Sequence, residues 1–402
     1  MNQKKPRLLF ILPNLQSGGA EKSLVTLLEV LGEKHGAGRD FGVDLFLFEA
    51  EGLFLRQLPP WVRILTAGKA FSTFNGSGRR ALCTFLLRGQ PRRALARLRF
   101  AKAWRLPENQ RVVKCWKALR PALPRLHTSY DAAIGYLEGY SNYYCADCVK
   151  AKRKLIYYHT DCRRMELYHP QDQRCFVHVD AIVSVSESCC GGLRDCYPQF
   201  SEKIHCIENM LSPGLLHKLS RKEAPPWIAD AHPVVLTIGR LAQEKGIDLA
   251  VKACALLKKS GAKLRWFVIG GGNEAPLRAL IRQEGLEGTF FLLGECANPY
   301  PALTACDSYV QPSRHEGKCI ALEEAKALQR AIVCTNFGTV ADQISHENTG
   351  LIAEIDPESI AKALLRLLND PALCASLRQN LKNYGGNEGE AEKFLSLCGI
   401  LS

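Results

Sequence analysis

The sequence predicts an α/β fold of two doubly wound domains in tandem, facing across a crevice, and three observations predict it. Short apolar runs alternate with stretches of helical spacing along almost the whole chain. The alternation breaks once, over residues 212–232, where Pro213, a Lys/Arg cluster and the pair Pro225 and Pro226 interrupt it. With 402 residues and 47% hydrophobic content, the chain exceeds the size at which one core usually stops growing.

Before the break, the apolar runs are 8–12, 43–48, 62–65, 132–136, 155–158, 181–185 and 204–207. Each is nearly continuous in apolar residues, the pattern of strands buried on both faces of a parallel sheet. They fill one sheet of a domain expected over 1–211. After the break, 234–238, 264–269, 290–292, 308–310, 332–334 and 351–353 repeat the pattern. A second domain is expected over 233–402, with 212–232 as the linker. There is no short internal repeat or low-complexity tract.

The seventeen cysteines are an odd number, scattered from Cys83 to Cys398, which suits reduced thiols used as small apolar residues. Cys145 and Cys148 form a single Cys-x-x-Cys pair with no second pair at zinc-ribbon spacing, so no metal site is expected. The basic stretch 1–7 precedes an apolar run of only five residues, too short for a signal peptide or membrane span. A cytoplasmic protein is expected.

The net charge of +13 is local. Residues 79–125 hold fourteen Lys or Arg against one acid, Glu108, and the rest of the chain balances at 39 of each sign. Leu82, Phe85, Leu86, Leu95, Leu98, Phe100, Trp104, Val112, Val113, Trp116 and Leu119 interleave with these cations at helical spacing. Two or three short amphipathic basic helices, an insertion at about 70–126, are expected. They suit an anionic bilayer surface at the inner face of the membrane, where each cation contributes about 1 kcal/mol. A solvated helical pair packing its apolar face on the domain fits the pattern equally well. Nucleic acid is disfavoured, because the aromatic residues are too few for a stacking platform.

Residues 312–338 carry most of the functional information. A strand ending near Val310 gives way to the charged turn 314–318, then to helical apolar spacing at Ile320, Leu322, Ala325 and Leu328. Glu316 therefore sits in a strand-to-helix loop, and Glu324 lies just over one turn into the helix. Both carboxylates border the region above the strand ends where open α/β sheets bind ligands. The first-turn amides around Cys319 to Ala321 point the same way and favour an anion such as phosphate. A plainer role for Glu323 and Glu324, complementing the positive helix end, also fits.

Similar loops follow other strands. Gly18 and Gly19 open a helix spaced at Leu24, Leu27, Leu28 and Leu31, although without a full dinucleotide fingerprint. Gly239, Arg240, Lys245 and Gly246 bracket a loop entering a helix; the Arg fork and the compact Lys charge suit diphosphate oxygens. Gly270, Gly271 and Gly272 again permit close backbone approach.

Together, Gly18-Gly19-Ala20-Glu21, the Gly239-Arg240-x5-Gly246 stretch with Lys245, and Glu316-x7-Glu324 resemble the retaining glycosyltransferases of family four, also called group 1, with the GT-B fold of two Rossmann-like domains. The resemblance implies transfer of a sugar from a nucleotide diphosphate donor, bound mainly by the second half, to an acceptor held mainly by the first. It implies that Glu324 bonds the nucleotide ribose, that Arg240 and Lys245 bind the diphosphate, and that amides of Gly317, Lys318, Cys319 and Ile320 meet phosphates and sugar hydroxyls. Glu316 would lie beside the transferred sugar.

His159, directly after an apolar strand, stands where the family often has a histidine, and is expected to orient the donor sugar or help the acceptor hydroxyl approach. The departing phosphate accepts the acceptor proton in front-side displacement, so support for that phosphate matters more than a dedicated base. Arg240 and Lys245 supply it, no Asp-x-Asp occurs, and a metal-independent reaction without cofactor is expected. Lys318, Cys319 and Ile320 depart from the Phe-Gly-Leu common after Glu-Gly in the family, which leaves the sugar open. The basic first half, together with what the resemblance implies, points to a glycan or lipid-linked acceptor of bacterial envelope polysaccharide. The alternative is a non-catalytic nucleotide-sugar-binding or membrane scaffold subunit of the same fold.

Overall fold

The computed structural model describes residues 5–16, 18–164, 169–228 and 232–401; residues 1–4 of the basic N-terminal stretch and 229–231 of the expected linker lie outside them. Two compact units divide the chain, one from residues 1–16, 20–208 and 389–402, the other from 17–19 and 209–388.

In the first unit, β1 (Arg7–Leu12), β2 (Gly42–Leu47), β3 (Arg63–Thr66), β4 (Ser129–Gly135), β5 (Lys150–Tyr158), β6 (Ala181–Ser184) and β7 (Ile204–Cys206) form a parallel sheet in the order β3-β2-β1-β4-β5-β6-β7. Helix α1 (Gly19–His35) follows β1; α2 (Gly68–Asn75), α3 (Gly78–Leu87), α4 (Pro91–Ala103) and α5 (Glu108–Leu119) stand between β3 and β4; α6 (Tyr140–Cys148), α7 (His169–Val177) and α8 (Glu187–Cys196) follow β4, β5 and β6. Strand β5 starts five residues before the apolar run at 155, because Lys150, Lys152 and Arg153 project past the core into solvent. At the N-terminal ends of the strands, buried Asp44 of β2 accepts hydrogen bonds from Arg7, Arg63 and Tyr130 at 2.6–2.9 Å, tying four adjacent strands together. Those three partners hold its carboxyl below the ordinary range even though burial pushes it up.

The basic stretch 79–125 forms three helices, α3, α4 and α5, as its spacing implies, and the less basic α2 precedes them. Gly89, at φ 64°, turns the chain between α3 and α4, and Pro91 starts α4 where its missing N–H costs nothing. Phe71, Phe74, Ala81, Phe85, Ala94, Trp116 and Leu119 join the sheet's core with Phe46 and Phe48. The Trp116 indole donates to Asp147 at 2.7 Å.

In the second unit, β8 (Val234–Ile238), β9 (Arg265–Ile269), β10 (Phe290–Leu292), β11 (Ser308–Gln311), β12 (Ala331–Thr335) and β13 (Leu351–Ala353) form a parallel sheet in the order β10-β9-β8-β11-β12-β13. Helices α9 (Pro213–Ser220), α10 (Ile247–Lys259), α11 (Ala275–Gln283), α12 (Tyr300–Ala305), α13 (Ile320–Ala327), α14 (Pro357–Asn369) and α15 (Pro371–Asn380) cover its faces.

The unit boundaries differ from those expected at 211 and 233. Within the stretch expected as linker, Ser212 caps α9 through its hydroxyl, Pro213 occupies the first turn, and Leu216 packs with Tyr300 and Leu322 in the second unit. At the other end, α16 (Glu390–Leu397) belongs to the first unit. Phe394 stacks on Phe10 at 5.6 Å between centroids, and Glu390 accepts the Glu208 N–H at 3.0 Å. Its apolar residues match any helix of the chain, so spacing alone could not say which sheet it covers.

Candidate active site

In each sheet, consecutive strands wind outward in opposite directions from one point: between β1 and β4 in the first unit and between β8 and β11 in the second. The loops leaving the strand ends at such a point diverge and open a ligand crevice.

At the second unit's switch point, two loops meet. The loop after β8 runs through Gly239 and Arg240 to a short 3-10 turn, Gln243–Lys245, and then to Gly246 at the start of α10. Gly246 has φ 62°, and a Cβ there would stand 2.0 Å from the Pro312 carbonyl oxygen of the other loop, so only glycine fits. Arg314 fastens the two loops, donating to Asp248 at 2.6 and 2.7 Å while its own N–H reaches the Glu244 carbonyl at 2.7 Å.

This closure brings Lys245 onto Glu316. Lys245 Nζ lies 2.8 and 2.7 Å from Glu316 Oε1 and Oε2, with side chains 19% and 7% exposed. Burial pulls the ammonium pKa down, but the Glu316 charge outweighs it and leaves the group above its ordinary value. Lys245 is expected to bind the diphosphate together with Arg240; in the structure its charge is matched by Glu316, because a buried ammonium needs a partner. Arg240 remains exposed and donates to Glu244 at 2.9 Å.

A buried chain of hydrogen bonds holds Glu316 from behind. Tyr309 donates to Gln311, Gln311 Nε2 to Ser313 Oγ at 2.8 Å, and Ser313 to Glu316 Oε1 at 2.6 Å. These three stand at alternate positions of and just beyond β11, hence on one face. Thr339 donates to the Glu316 carbonyl at 3.1 Å.

Helix α13 begins immediately after. Its first turn leaves the Ile320 and Ala321 amides without intrahelical acceptors, as at any helix start. The Cys319 amide, expected to face a ligand, instead donates to Gln343 Oε1 at 2.9 Å, and Gln343 Nε2 returns bonds to the Cys319 carbonyl at 3.0 Å and to Glu323 at 2.7 Å. The Cys319 side chain is buried, which pushes its thiol well up. Glu323 is engaged by Lys326 and Tyr384. Glu324 is 2% exposed and accepts the Tyr300 hydroxyl at 2.9 Å. Gly270 has a structural explanation: a Cβ there would meet the Gly239 carbonyl oxygen at 1.9 Å, so it lets two loops of one unit pack.

At the first unit's switch point, Gly18 and Gly19 lead from β1 into α1. His159, after β5, packs against the rings of Tyr136 and Tyr157 at 5.3 and 5.7 Å, which stack on each other at 4.6 Å. Its Nε2 is 2.9 Å from the Tyr136 carbonyl, which can only accept, so Nε2 carries the hydrogen. Glu138 accepts from the His159 N–H at 3.2 Å and from Thr160 at 2.8 Å, fixing the segment.

The sequence thus pointed to Glu316, Glu324, Arg240, Lys245 and His159, and the structure joins Lys245 to Glu316 directly. It missed Ser313, Gln311, Arg314, Gln343 and Tyr300. Polar Gln311 and Ser313 at the end of an otherwise apolar strand were the available sign, since buried polar side chains need partners.

A parallel α/β sheet whose switch point carries a helix start, a buried Lys–Glu pair and a carboxylate one turn into the helix has the arrangement at which α/β proteins commonly hold anionic ligands. Residues 221–387 match the family model of glycosyl transferases group 1. The chain carries the domain of that family, on the GT-B fold. It is similar to alpha-D-kanosaminyltransferase of Streptomyces kanamyceticus, 30% identical over 38% of this chain and 40% of that one. It is also similar to N-acetylgalactosamine-N,N'-diacetylbacillosaminyl-diphospho-undecaprenol 4-alpha-N-acetylgalactosaminyltransferase of Campylobacter jejuni, 30% identical over 48% of this chain and 52% of that one. The matches therefore span about half the length of these curated relatives, or less. Among solved structures, HepE of Anabaena with UDP and glucose superposes with a TM-score of 0.68 at 15% identity, over 98% of this chain and 100% of that one.

Proposed function

We propose that this protein is a retaining glycosyltransferase that moves a sugar from a nucleotide diphosphate donor to a glycan or lipid-linked acceptor in bacterial envelope polysaccharide synthesis. The observation that carries this is the Lys245–Glu316 pair standing beside the first turn of α13, with Glu324 one turn on. The amides of Ile320 and Ala321 and the charge of Arg240 receive the diphosphate, and Glu324 accepts from ribose hydroxyls. Glu316 lies beside the sugar, and Lys245 turns toward the leaving phosphate as charge builds there. The bond from the anomeric carbon to the phosphate oxygen breaks as the acceptor oxygen bonds the same carbon on the same face, and the acceptor proton passes to the departing phosphate. His159 orients the sugar or the incoming hydroxyl. The cations do the work a divalent metal does in other transferases.

The lipid-linked acceptor and a location at the inner membrane face rest on the activity for which the Campylobacter relative is named and on the basic helices α3–α5. Incubation with UDP-, GDP- and ADP-sugars, monitoring donor hydrolysis with and without EDTA, tests the reading. Hydrolysis of one donor class that survives EDTA is expected. Binding of a donor without turnover under any condition would instead identify a non-catalytic subunit, and loss on chelation restored by magnesium would give the phosphate charge to a metal.

A further inference from the structure

We propose that the outer face of α3 and α4 is a bilayer-docking surface, in which Leu86, Leu87, Leu95 and Leu98 enter the interface of an anionic membrane while the surrounding cations bind lipid phosphates. This specifies where the membrane contact lies, and resting on the membrane-proximal reading above, it is independent of the sugar chemistry.

Helices α3 and α4 are joined by the short turn at Gly89 and packed on one another, with Ala81, Phe85, Ala94 and Ala103 buried beneath. What remains outward on α3 is Arg79, Arg80, Cys83, Leu86 and Leu87, and on α4 Arg92, Leu95, Leu98, Arg99 and Lys102. Leucine is costly on such a face. Leu87 is 88% exposed, Leu86 56%, Leu98 52% and Leu95 48%, and Trp104 just beyond is 58% exposed. Of the ten large apolar side chains exposed among the described residues, these are five, gathered within nineteen positions. A solvated helix face of ordinary kind would pair its arginines with acids one turn away. Here no acid occurs between Glu51 and Glu108.

The structure also sorts the cations. Arg97 turns inward, lying over the rings of Phe74 and Phe100 at 5.8 and 5.7 Å, and Arg93 is half-buried, bonded to Gln90 at 2.9 Å. The headgroup set is therefore Arg79, Arg80, Arg88, Arg92, Arg99 and Lys102. Leucines flanked by cations, with no acid, match the two layers of an anionic bilayer interface, apolar below and phosphate above. A second copy of the same face would bring like charges together. A nucleic acid strand would leave the leucines nothing to stack on.

Co-sedimentation of the full chain with vesicles of phosphatidylcholine, and of phosphatidylcholine with phosphatidylglycerol, tests this. Binding to the anionic vesicles is expected to fall at least about tenfold in Leu86→Ser/Leu87→Ser and in Arg79→Gln/Arg80→Gln/Arg92→Gln, and high salt is expected to remove only part of it, because the leucine contribution is not screened. Nucleoside diphosphate binding stays at the wild-type level in both variants, which shows that they fold. Undiminished vesicle binding by the leucine variant, equal binding to neutral vesicles, or a self-association that the leucine changes abolish would each overturn the assignment. A vesicle-binding protein that hydrolyses no donor would sink the transferase reading and leave this one standing.

Discussion

Lys245 grips both oxygens of Glu316, 71 residues away in the chain, in a site where the two side chains are 19% and 7% exposed. Either charge alone would be strongly disfavoured at that burial. Lys245→Ala and Glu316→Ala are each expected to destabilise the protein by roughly 3 kcal/mol, whereas the double variant loses much less than the sum. Denaturant unfolding of the four proteins closes the cycle. Additive losses would mean the pair is not coupled.

Arg240 offers the contrast, since it is exposed and its ion pair with Glu244 is exposed as well. Arg240→Ala is expected to leave the unfolding midpoint unchanged and to lower turnover by about 2 kcal/mol of transition-state stabilisation. Steady-state kinetics beside a melting curve separates the two effects; a large stability loss with unchanged turnover would reverse the assignment.

Glu324 differs again, sitting on α13 with the Tyr300 hydroxyl on Oε1. Glu324→Ala is expected to weaken nucleoside diphosphate binding about tenfold or more, as a ribose hydroxyl loses its acceptor. Calorimetric titration decides it, and unchanged affinity would take Glu324 out of the site.

Most of the strands were legible because they are apolar runs buried on both faces, a pattern that needs no partner to be seen; β3, at the sheet edge, has no buried residue and showed only as the short apolar run 62–65. Glu316 and Lys245 were legible as loop residues at strand ends, but their pairing was not, since the closure rests on Gly246 against Pro312 and on Arg314 against Asp248, contacts between loops 66 or more residues apart. Helix α16 was legible as a helix and misplaced as to unit, because nothing in Glu390–Leu397 specifies Phe10 as the surface it covers. The basic insertion showed its amphipathic spacing while concealing which arginines turn inward, a matter decided by Phe74 and Phe100.

Asp44 sets an acid limit on the first unit. Its folded carboxyl lies below the ordinary value, so the stability it contributes is present above about 4, the unfolded value, and is lost as pH falls through the folded one. Asp44→Asn is therefore expected to lower stability at pH 7 and to flatten the decline in acid. Unfolding free energies at a series of pH values from neutral to strongly acidic test the sign; parallel curves for the two proteins would show that Asp44 does not carry the linkage.

Ser313 has no charge and no route to a ligand, yet its hydroxyl is the last member of the chain from Tyr309 through Gln311 to Glu316. Being buried, the chain has no water to replace a lost member, so Ser313→Ala leaves Gln311 Nε2 without its acceptor and removes the second donor to Glu316 Oε1. Lys245 still holds the carboxylate, but from one side only, and its angle toward the sugar is no longer fixed. A misplaced group costs rate more than binding when its contact forms chiefly in the transition state. The expected result is a fall in kcat of about ten- to a hundredfold with nucleoside diphosphate affinity unchanged and a loss of roughly 1 to 2 kcal/mol in stability. Kinetics, calorimetry and unfolding on the one variant read all three. A weakened nucleotide affinity with normal kcat would show that Ser313 supports the phosphate-binding loop and not the carboxylate.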